Sequence, residues 1–123
     1  MMIGAGGLAG NVIGSASAAD VLRDGDVIQI ENVKSGLLLG PYNNSRVVGM
    51  DIEQRAKSST GAQSWKLKGV PGQAGYWNLI NTTTGQCLAN RSSSHVEGTP
   101  IIQWTCMGLN DQAWKFEPRG NQK

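Results

Sequence analysis

A histidine follows three serines in the stretch Ser92-Ser93-Ser94-His95, which are the residue types of a nucleophile and its general base. Serine clusters are also ordinary turn formers, and no acid is evident that would complete a triad. Asp51 and Glu53 lie two residues apart, so on a strand they would share one face, as the two carboxylates of a glycosidase could. Such pairs are more often a solvated strand face. We therefore expect no catalytic residue, and a protein that is not an enzyme.

The sequence also offers little to hold a metal ion or a cofactor. Cys87, Cys106 and the single histidine do not supply the four ligands of a zinc site. Asp24 and Asp26 flank a glycine, which is a turn signature with too few oxygen ligands for Ca²⁺. The glycines of residues 4–7 precede no Lys-Ser/Thr pair, so they form no phosphate-binding loop. We expect neither a metal nor a cofactor.

Composition restricts the class of protein and of partner. The chain has 123 residues, of which 16% are charged, and its net charge is +2. This length fits one domain with a modest core. Because no run of lysine or arginine occurs, the charge gives little reason to bind nucleic acid or an anionic membrane. No stretch reaches the ~20 consecutive apolar residues of a membrane-spanning helix.

The pattern of apolar residues predicts strands rather than helices. Apolar and polar residues alternate over Val27–Asn32 and, less strictly, over Tyr76–Asn81, and short apolar runs follow at Leu37–Leu39 and Ile101–Trp104. Glycine-containing turn sequences separate these runs, and no window of ten residues shows helical periodicity. Many short strands at this spacing predict an all-β sandwich or barrel.

The two halves of the chain repeat at an offset of 49 residues without gaps. Positions 27–67 and 76–116 share 11 identities in 41 positions, where average residue usage gives about two or three. The residues that recur 49 positions later are Asn32, Gly36, Leu39, Ser45, Val47, Gly49, Ile52, Gln54, Gln63, Trp65 and Lys66. The sequence therefore predicts two tandem structural units.

Each unit ends in a Gln-x-Trp motif, at Gln63-Ser64-Trp65 and at Gln112-Ala113-Trp114. With Gly85-Gln86-Cys87-Leu88 and Gln103-Trp104-Thr105-Cys106 in the second unit, the sequence resembles the ricin-type β-trefoil lectin family, whose lobes end in this motif. The resemblance implies an all-β, β-trefoil fold in a domain at 27–123, with lobes at 27–67 and 76–116. It also implies a structural core that contains Gln63, Trp65, Gln112 and Trp114, whose polar groups need partners when buried.

The resemblance further implies a disulfide between Cys87 and Cys106, because family members form one inside a lobe at these positions. Such a bond would add roughly 3 kcal/mol in the chain-entropy model and indicates an oxidising compartment, so we expect a secreted protein. The alternative is a pair of free, buried thiols.

The family's fold closes with three lobes, whereas two are recognisable in this sequence. A third lobe would begin near residue 125, or it would be a degenerate lobe formed from residues 1–26, or another chain would supply it. Two lobes alone would leave an apolar seam and open strand edges, which proteins usually cover or pair.

In this family each lobe binds sugar in a shallow pocket that combines an Asp after the Cys-Leu strand, an aromatic ring and an Asn before the Gln-x-Trp glutamine. In the second unit Trp104 occupies the position of the ring and Asp111 that of the Asn, but Ala89 replaces the Asp. Asn90, the next residue, is the candidate replacement for that carboxylate.

The first unit has Gly40, Arg55 and Ala62 at the three positions, so we expect no sugar site there. The candidate carbohydrate-binding residues all belong to the second unit: Asn90, Gln103, Trp104, Asn110 and Asp111. The alternative for Trp104 is a half-buried core residue.

Residues 1–26 form a segment of their own, because residues 1–19 carry no charge and are interrupted by glycines. They end in small residues like a secretory cleavage site, yet lack the basic start of a signal peptide. The segment is either the tail of an export signal or a Gly-rich arm. In an arm, Ile3, Leu8, Val12 and Ile13 would lie extended along the groove or sheet edge of a partner protein.

Two functions therefore stand as hypotheses. The first is a non-catalytic, secreted, lectin-like module that binds carbohydrate or a glycoprotein through the second lobe. The second is a protein–protein adaptor subunit of a secreted complex, such as a toxin or enzyme assembly, which would bind its partner through residues 1–26 or through the open lobe seam.

Overall fold

The structure is a computed structural model that describes residues 2–3, 22–59 and 61–117. Within these ranges the protein has no α-helix, and its secondary structure consists of short strands and one-turn 3₁₀ helices. The strands are β1 (Met2–Ile3), β2 (Val27–Gln29), β3 (Leu38–Pro41), β4 (Ile52–Arg55), β5 (Trp65–Gly69), β6 (Tyr76–Asn81), β7 (Cys87–Asn90), β8 (Ile101–Trp104) and β9 (Trp114–Lys115). The 3₁₀ helices are Tyr42–Asn44, Arg91–Ser93 and Asn110–Gln112.

The elements of the first unit recur in the second at the offset that the sequence predicts. Strands β2, β3, β4 and β5 each begin 49 residues before β6, β7, β8 and β9, and the helix Tyr42–Asn44 precedes Arg91–Ser93 by the same number. The secondary structure thus repeats at the offset of the sequence repeat.

All strand pairs are antiparallel, and they form a seven-stranded sheet and a separate two-stranded sheet of β3 and β4. The hairpin of β7 and β8 belongs to the larger sheet, because β7 pairs with β6. Strand β2 pairs with β5, β5 with β6, and β6 with β9, so the first and last strands of both units form one continuous wall. The middle strands of each unit form a hairpin, β3 with β4 and β7 with β8. Strand β1 adds to the wall beside β2.

The core draws on both units. Side chains of β5 alternate between buried Trp65 and Leu67 and exposed lysines, as expected of a strand with one face inward. They pack with Ile28 of β2 and with Leu79 and Leu88 of the second unit. The core cluster also includes Leu22, which precedes the predicted start of the domain at residue 27.

The Gln-x-Trp motifs tie each unit together through hydrogen bonds. The indole nitrogen of Trp65 donates to the carbonyl of Leu39 at 3.2 Å, and that of Trp114 donates to the carbonyl of Leu88 at 2.9 Å. Thus each tryptophan anchors the hairpin of its own unit to the wall.

The glutamines of the motifs hold the loops that precede them. The Gln63 amide donates to the carbonyl of Ala56 and accepts the backbone N–H of Ser58. The Gln112 amide repeats this with Thr105 and Met107. Both glutamines are buried with these polar groups satisfied, as the core assignment requires.

The observed strands match the predicted ones closely in the second unit and less so in the first. Strands β6 and β8 have the predicted bounds. Strand β2 ends at Gln29, because the carbonyl of Ile30 turns to accept the N–H of Leu39. Strand β3 is shifted by one residue and continues to Pro41.

Candidate functional site

A cavity of about 310 Å³ lies in the second unit where the end of β7 meets β8 and the loop before β9. Its apolar wall consists of Ala89, Ile102, Trp104 and Leu109. Its polar wall consists of Asn90, Asp111 and the helix Arg91–Ser93. This combination of an apolar surface with a few convergent polar groups is typical of sites for small ligands.

Trp104 is the exposed aromatic side chain of the cavity. About 40% of its surface is accessible, although it lies on a strand whose preceding residue is fully buried. Gly49 of the first unit packs against its six-membered ring so closely that a Cβ at Gly49 would lie 3.3 Å from Cζ3. Trp104 therefore packs against Gly49 on one side and is exposed to solvent on the rest of its surface, so it is not part of the buried core.

Asn90 and Asp111 each leave one buried oxygen without a hydrogen-bond partner. The Asn90 amide nitrogen donates to the carbonyl of Ser94 at 2.6 Å, and one Asp111 oxygen accepts from the Ser93 hydroxyl at 2.9 Å. Oδ1 of Asn90 and Oδ1 of Asp111 have no partner among the described residues. Because an unpaired buried acceptor is costly, these two oxygens favour a ligand that brings hydrogen-bond donors.

The helix Arg91–Ser93 places its side chains through an unusual backbone. Ser92 and Ser93 have φ angles of 57° and 52°, in the left-handed region that serine adopts at a cost. Asn43 and Asn44 of the first unit have the same conformation, so the repeat imposes it on both units. In this conformation the Ser93 hydroxyl reaches Asp111.

An ion pair fixes the edge of the cavity to the first unit. The Arg91 guanidinium donates to the carboxylate of Asp51, and the backbone of Asp51 forms a β-bridge with Ile102. The cavity is therefore built from both units, although most of its lining belongs to the second.

Residues 19–104 and 61–123 match the family model described as ricin-type beta-trefoil lectin domain-like. The chain belongs to this family. Together with the two repeated units, this confirms the predicted all-β, β-trefoil fold.

Solved structures that are similar to this chain support the fold assignment. A designed three-fold symmetric protein, ThreeFoil, has 29% identity and a TM-score of 0.66, over 76% of this chain and 65% of its own. An exo-β-1,3-galactanase from Clostridium thermocellum has 30% identity and a TM-score of 0.65, over 76% of this chain and 20% of its own. The PSL1a–E64 complex has 18% identity and a TM-score of 0.60, over 76% of this chain and 33% of its own.

This β-trefoil chain thus spans less than two thirds of the length of each of these proteins. No curated protein matches the chain.

Three of the five predicted sugar-binding residues of this lectin domain line the cavity: Asn90, Trp104 and Asp111. Asn110 lies beside it and lines an adjoining cleft with His95, while its side-chain oxygen accepts from the amide of Gln73. The structure corrects the assignment of Gln103. It has no accessible surface, and its amide nitrogen donates to the carbonyls of Ser45 and Val47 instead.

At the equivalent positions of the first lobe, the backbones of Gly40 and Ala62 lie close together. A Cβ on Gly40 would lie 2.8 Å from the carbonyl oxygen of Ala62, so the two backbones leave no room between them. Arg55, at the position of Trp104, is held by Glu53 in an ion pair of 2.7 Å.

The disulfide between Cys87 and Cys106 is present, which confirms that prediction. It joins β7 to the segment that follows β8, so it closes the hairpin next to Trp104.

The side chains that were considered for catalysis do not form a common site in the structure. The Ser93 hydroxyl donates to Asp111, and His95 is exposed. Asp51 and Glu53 each pair with a different arginine rather than facing one shared space. In residues 22–59 and 61–117, no three His, Cys, Asp or Glu side chains are grouped so that they could hold a metal ion. Nor does any helix in the described part of the chain have the length and hydropathy to cross a membrane.

Of the residues proposed for a partner-binding arm, only Ile3 lies in the described part of the chain. It belongs to β1 and pairs with Ile28 of the chain's own β2. Leu8, Val12 and Ile13 lie outside the described residues.

Sequence reasoning missed Ser93, Gly49 and Leu109 as parts of the site. Serine carries no sequence signal for a left-handed turn, and Gly49 approaches Trp104 from 55 positions away in the chain. The repeat itself could have identified Ser93, because its equivalent is Asn44, a residue type common in left-handed turns.

Proposed function

We propose that this chain is a non-catalytic lectin module that binds carbohydrate through the cavity of its second lobe. The observation that carries the proposal is that one cavity is lined by the exposed Trp104 and by Asn90 and Asp111, each of which has a buried oxygen without a partner among the described residues. A sugar ring offers an apolar C–H face to an aromatic side chain and hydroxyl donors to acceptors. Membership in a family of lectin domains supports the same class of ligand.

The two acceptors define the ligand more closely. Each needs a donor, so the ligand is expected to be a neutral sugar with at least two free hydroxyls. A derivative that lacks one of these hydroxyls would leave an acceptor unpaired, at about 1–3 kcal/mol. A cavity of about 310 Å³ is at the small end of ligand pockets, which favours one or two terminal sugar units of a glycan.

The proposal includes secretion. The Cys87–Cys106 disulfide supports an oxidising compartment, because disulfides rarely persist in reducing cytosol.

A glycan array probed with the wild-type chain and with Trp104→Ala tests the site. We expect the wild type to bind a limited set of neutral glycans and Trp104→Ala to lose them. Arg55→Ala is the matched control, since it changes the equivalent position of the first lobe, where the sequence predicts no sugar site, and it should bind like the wild type. A blank array for the wild type, or unchanged binding by Trp104→Ala, contradicts the proposal.

Asp111→Ala tests the acceptor by removing it, and should weaken binding about 10–100-fold, as expected for the loss of a hydrogen bond to a charged group. Asp111→Asn is the conservative variant, because it keeps an acceptor oxygen and is the residue type that the family has at this position. Titration calorimetry with a glycan from the array gives the dissociation constant, and thermal unfolding of both proteins checks that the fold is retained.

A further inference from the structure

The hairpin of β7 and β8 has one apolar face, and this face lines the cavity of the second lobe. Ala89 lies opposite Ile102 in the hairpin, and Cys87 lies opposite Trp104. Because successive side chains of a strand point to opposite faces, these four residues share one face. Cys87 is bonded to Cys106, and the other three line the cavity. Apart from the indole nitrogen of Trp104, the face has no side-chain nitrogen or oxygen.

The apolar lining has a buried part and an exposed part. Ala89 and Ile102 are only 1% and 4% exposed, so they lie at the bottom of the cavity. Trp104 and Leu109 are both exposed and lie nearer its opening. A ligand group that is bound deep in the cavity on this side therefore contacts hydrocarbon.

The apolar character of this face is particular to the second lobe. In the first lobe Glu53 occupies the position of Ile102 and Arg55 that of Trp104, and the two form an ion pair. Ala89 stands where the lectin pattern has an Asp, so a methyl group replaces an acceptor of sugar hydroxyls. The repeated scaffold thus does not require an apolar surface here.

The polar groups of the cavity come from other positions. They belong to Asn90 at the end of β7, to the helix Arg91–Ser93 and to Asp111. The Ser93 hydroxyl donates to one oxygen of Asp111. The other oxygen of Asp111 and the side-chain oxygen of Asn90 are the acceptors without a partner among the described residues. A ligand for this cavity therefore needs hydroxyl donors for these oxygens and an apolar group for the face of the hairpin.

We infer that the cavity selects a 6-deoxyhexose, which is a sugar that carries a methyl group in place of the hydroxymethyl group, and that Ala89, Ile102 and Leu109 determine this specificity. The inference rests on the proposed function, because it names the class of sugar for the same site. The methyl group of the sugar packs on the apolar lining, while ring hydroxyls donate to Asn90 and Asp111.

The chemistry of the lining distinguishes this class from two other classes of sugar. The hydroxyl of a hydroxymethyl group at Ala89 and Ile102 would leave water and find no side-chain acceptor there, whereas a methyl group gains from burial. An N-acetyl group also carries a methyl, but it adds an amide whose N–H and carbonyl would need partners on the same apolar surface.

Pairs of sugars that differ by one oxygen atom test the inference on the unmodified chain. The pairs are L-fucose with L-galactose, L-rhamnose with L-mannose, and D-fucose with D-galactose. Each sugar competes with an immobilised glycan that the chain retains. In the pair that binds best, we expect the 6-deoxy sugar to compete at a concentration lower by about tenfold or more.

The competition separates failure of the inference from failure of the proposed function. Equal competition by the two members of each pair overturns the inference and leaves a lectin of different specificity. Stronger competition by N-acetylglucosamine or N-acetylgalactosamine than by every 6-deoxy sugar does the same. A chain that binds neither a glycan nor any of these sugars contradicts both.

Leu109→Ser tests an exposed residue of the lining, whose replacement leaves the buried core intact. We expect the preference for the 6-deoxy sugar to fall by about threefold or more, because a hydroxyl replaces an apolar contact. Val33→Ser is the matched control, since Val33 is exposed and lies outside the cavity, and it should keep the preference of the wild type. An unchanged preference in Leu109→Ser overturns the inference.

Ala89→Asp restores an acceptor at the bottom of the cavity and should reverse the preference, so that the hydroxymethyl sugar competes better. Since a buried carboxylate can prevent folding, Ala89→Ser is measured beside it and should reduce the preference by about threefold or more. Circular dichroism and thermal unfolding identify the folded variants. A folded variant at position 89 that keeps the full preference of the wild type overturns the inference.

Discussion

Position 40 of the first lobe has no room for the methyl group that Ala89 carries in the second. A Cβ on Gly40 would lie 2.8 Å from the carbonyl oxygen of Ala62, which is itself fully buried. We therefore expect Gly40→Ala to lower the free energy of unfolding by about 1–3 kcal/mol, through overpacking. Urea unfolding measures this, with the exposed change Lys68→Ala as control. An unaffected Gly40→Ala would show that strand β3 and the loop around Ala62 can move apart without cost.

Trp65 and Trp114 hold equivalent positions but differ in burial. Trp65 has no accessible surface, while Trp114 is partly exposed, and each donates to a carbonyl of its own hairpin. We expect Trp65→Ala to cost about 3–5 kcal/mol, as large-to-small core changes do, and Trp114→Ala to cost clearly less. Denaturant unfolding of the two variants compares them directly. Equal losses would mean that burial does not distinguish the two lobes.

Single residues could be predicted where they stand on a repeated motif. The positions of Trp104 and Asp111 follow from the Gln-x-Trp register, and both line one cavity, while their role in binding sugar stays a prediction. Gln103 was misassigned because a polar residue beside an exposed aromatic gives no sequence signal of the lobe to which it donates. Only the folded contact between lobes distinguishes a sugar ligand from an interlobe bond there.

At the scale of elements, the hairpin β7–β8 is joined to the preceding lobe through one side chain. Gln103→Ala removes bonds to Ser45, Val47 and Thr84 and leaves a small void, so we expect a loss of about 2–4 kcal/mol in unfolding free energy. Gln54→Ala is the matched control from the first lobe and should stay within about 0.5 kcal/mol. Thermal or urea unfolding gives both values, and similar losses would contradict an interlobe role for Gln103.

Strands were predictable where apolar residues run without interruption and less so where side-chain hydrogen bonds shape the chain. Tyr76–Asn81 and Ile101–Trp104 have the predicted bounds. Strand β3 continues through Pro41, which apolar periodicity does not indicate. Strand β9 has only two residues, so the motif that contains Trp114 predicts it better than any hydrophobic pattern does.

For the whole molecule, the two lobes share one core, and we expect them to unfold together. Ile28, Trp65 and Leu67 pack with Leu79 and Leu88, and the Arg91–Asp51 ion pair also joins the lobes. Calorimetry of the oxidised protein should show a single transition whose van't Hoff and calorimetric enthalpies agree. Two resolved transitions would indicate lobes that are stable separately.

The 49-residue repeat gives the two lobes similar scaffolds and different cavity positions. The glutamine and tryptophan of the Gln-x-Trp motif are the same in both lobes, whereas Ala89, Trp104 and Asp111 of the second correspond to Gly40, Arg55 and Ala62 of the first. Exchanging Arg55 for tryptophan would not be enough to transfer the site, because position 40 has no room for the Cβ that Ala89 carries in the second lobe. Engineering recognition into the first lobe would require moving the backbones of Gly40 and Ala62 apart before changing any side chain.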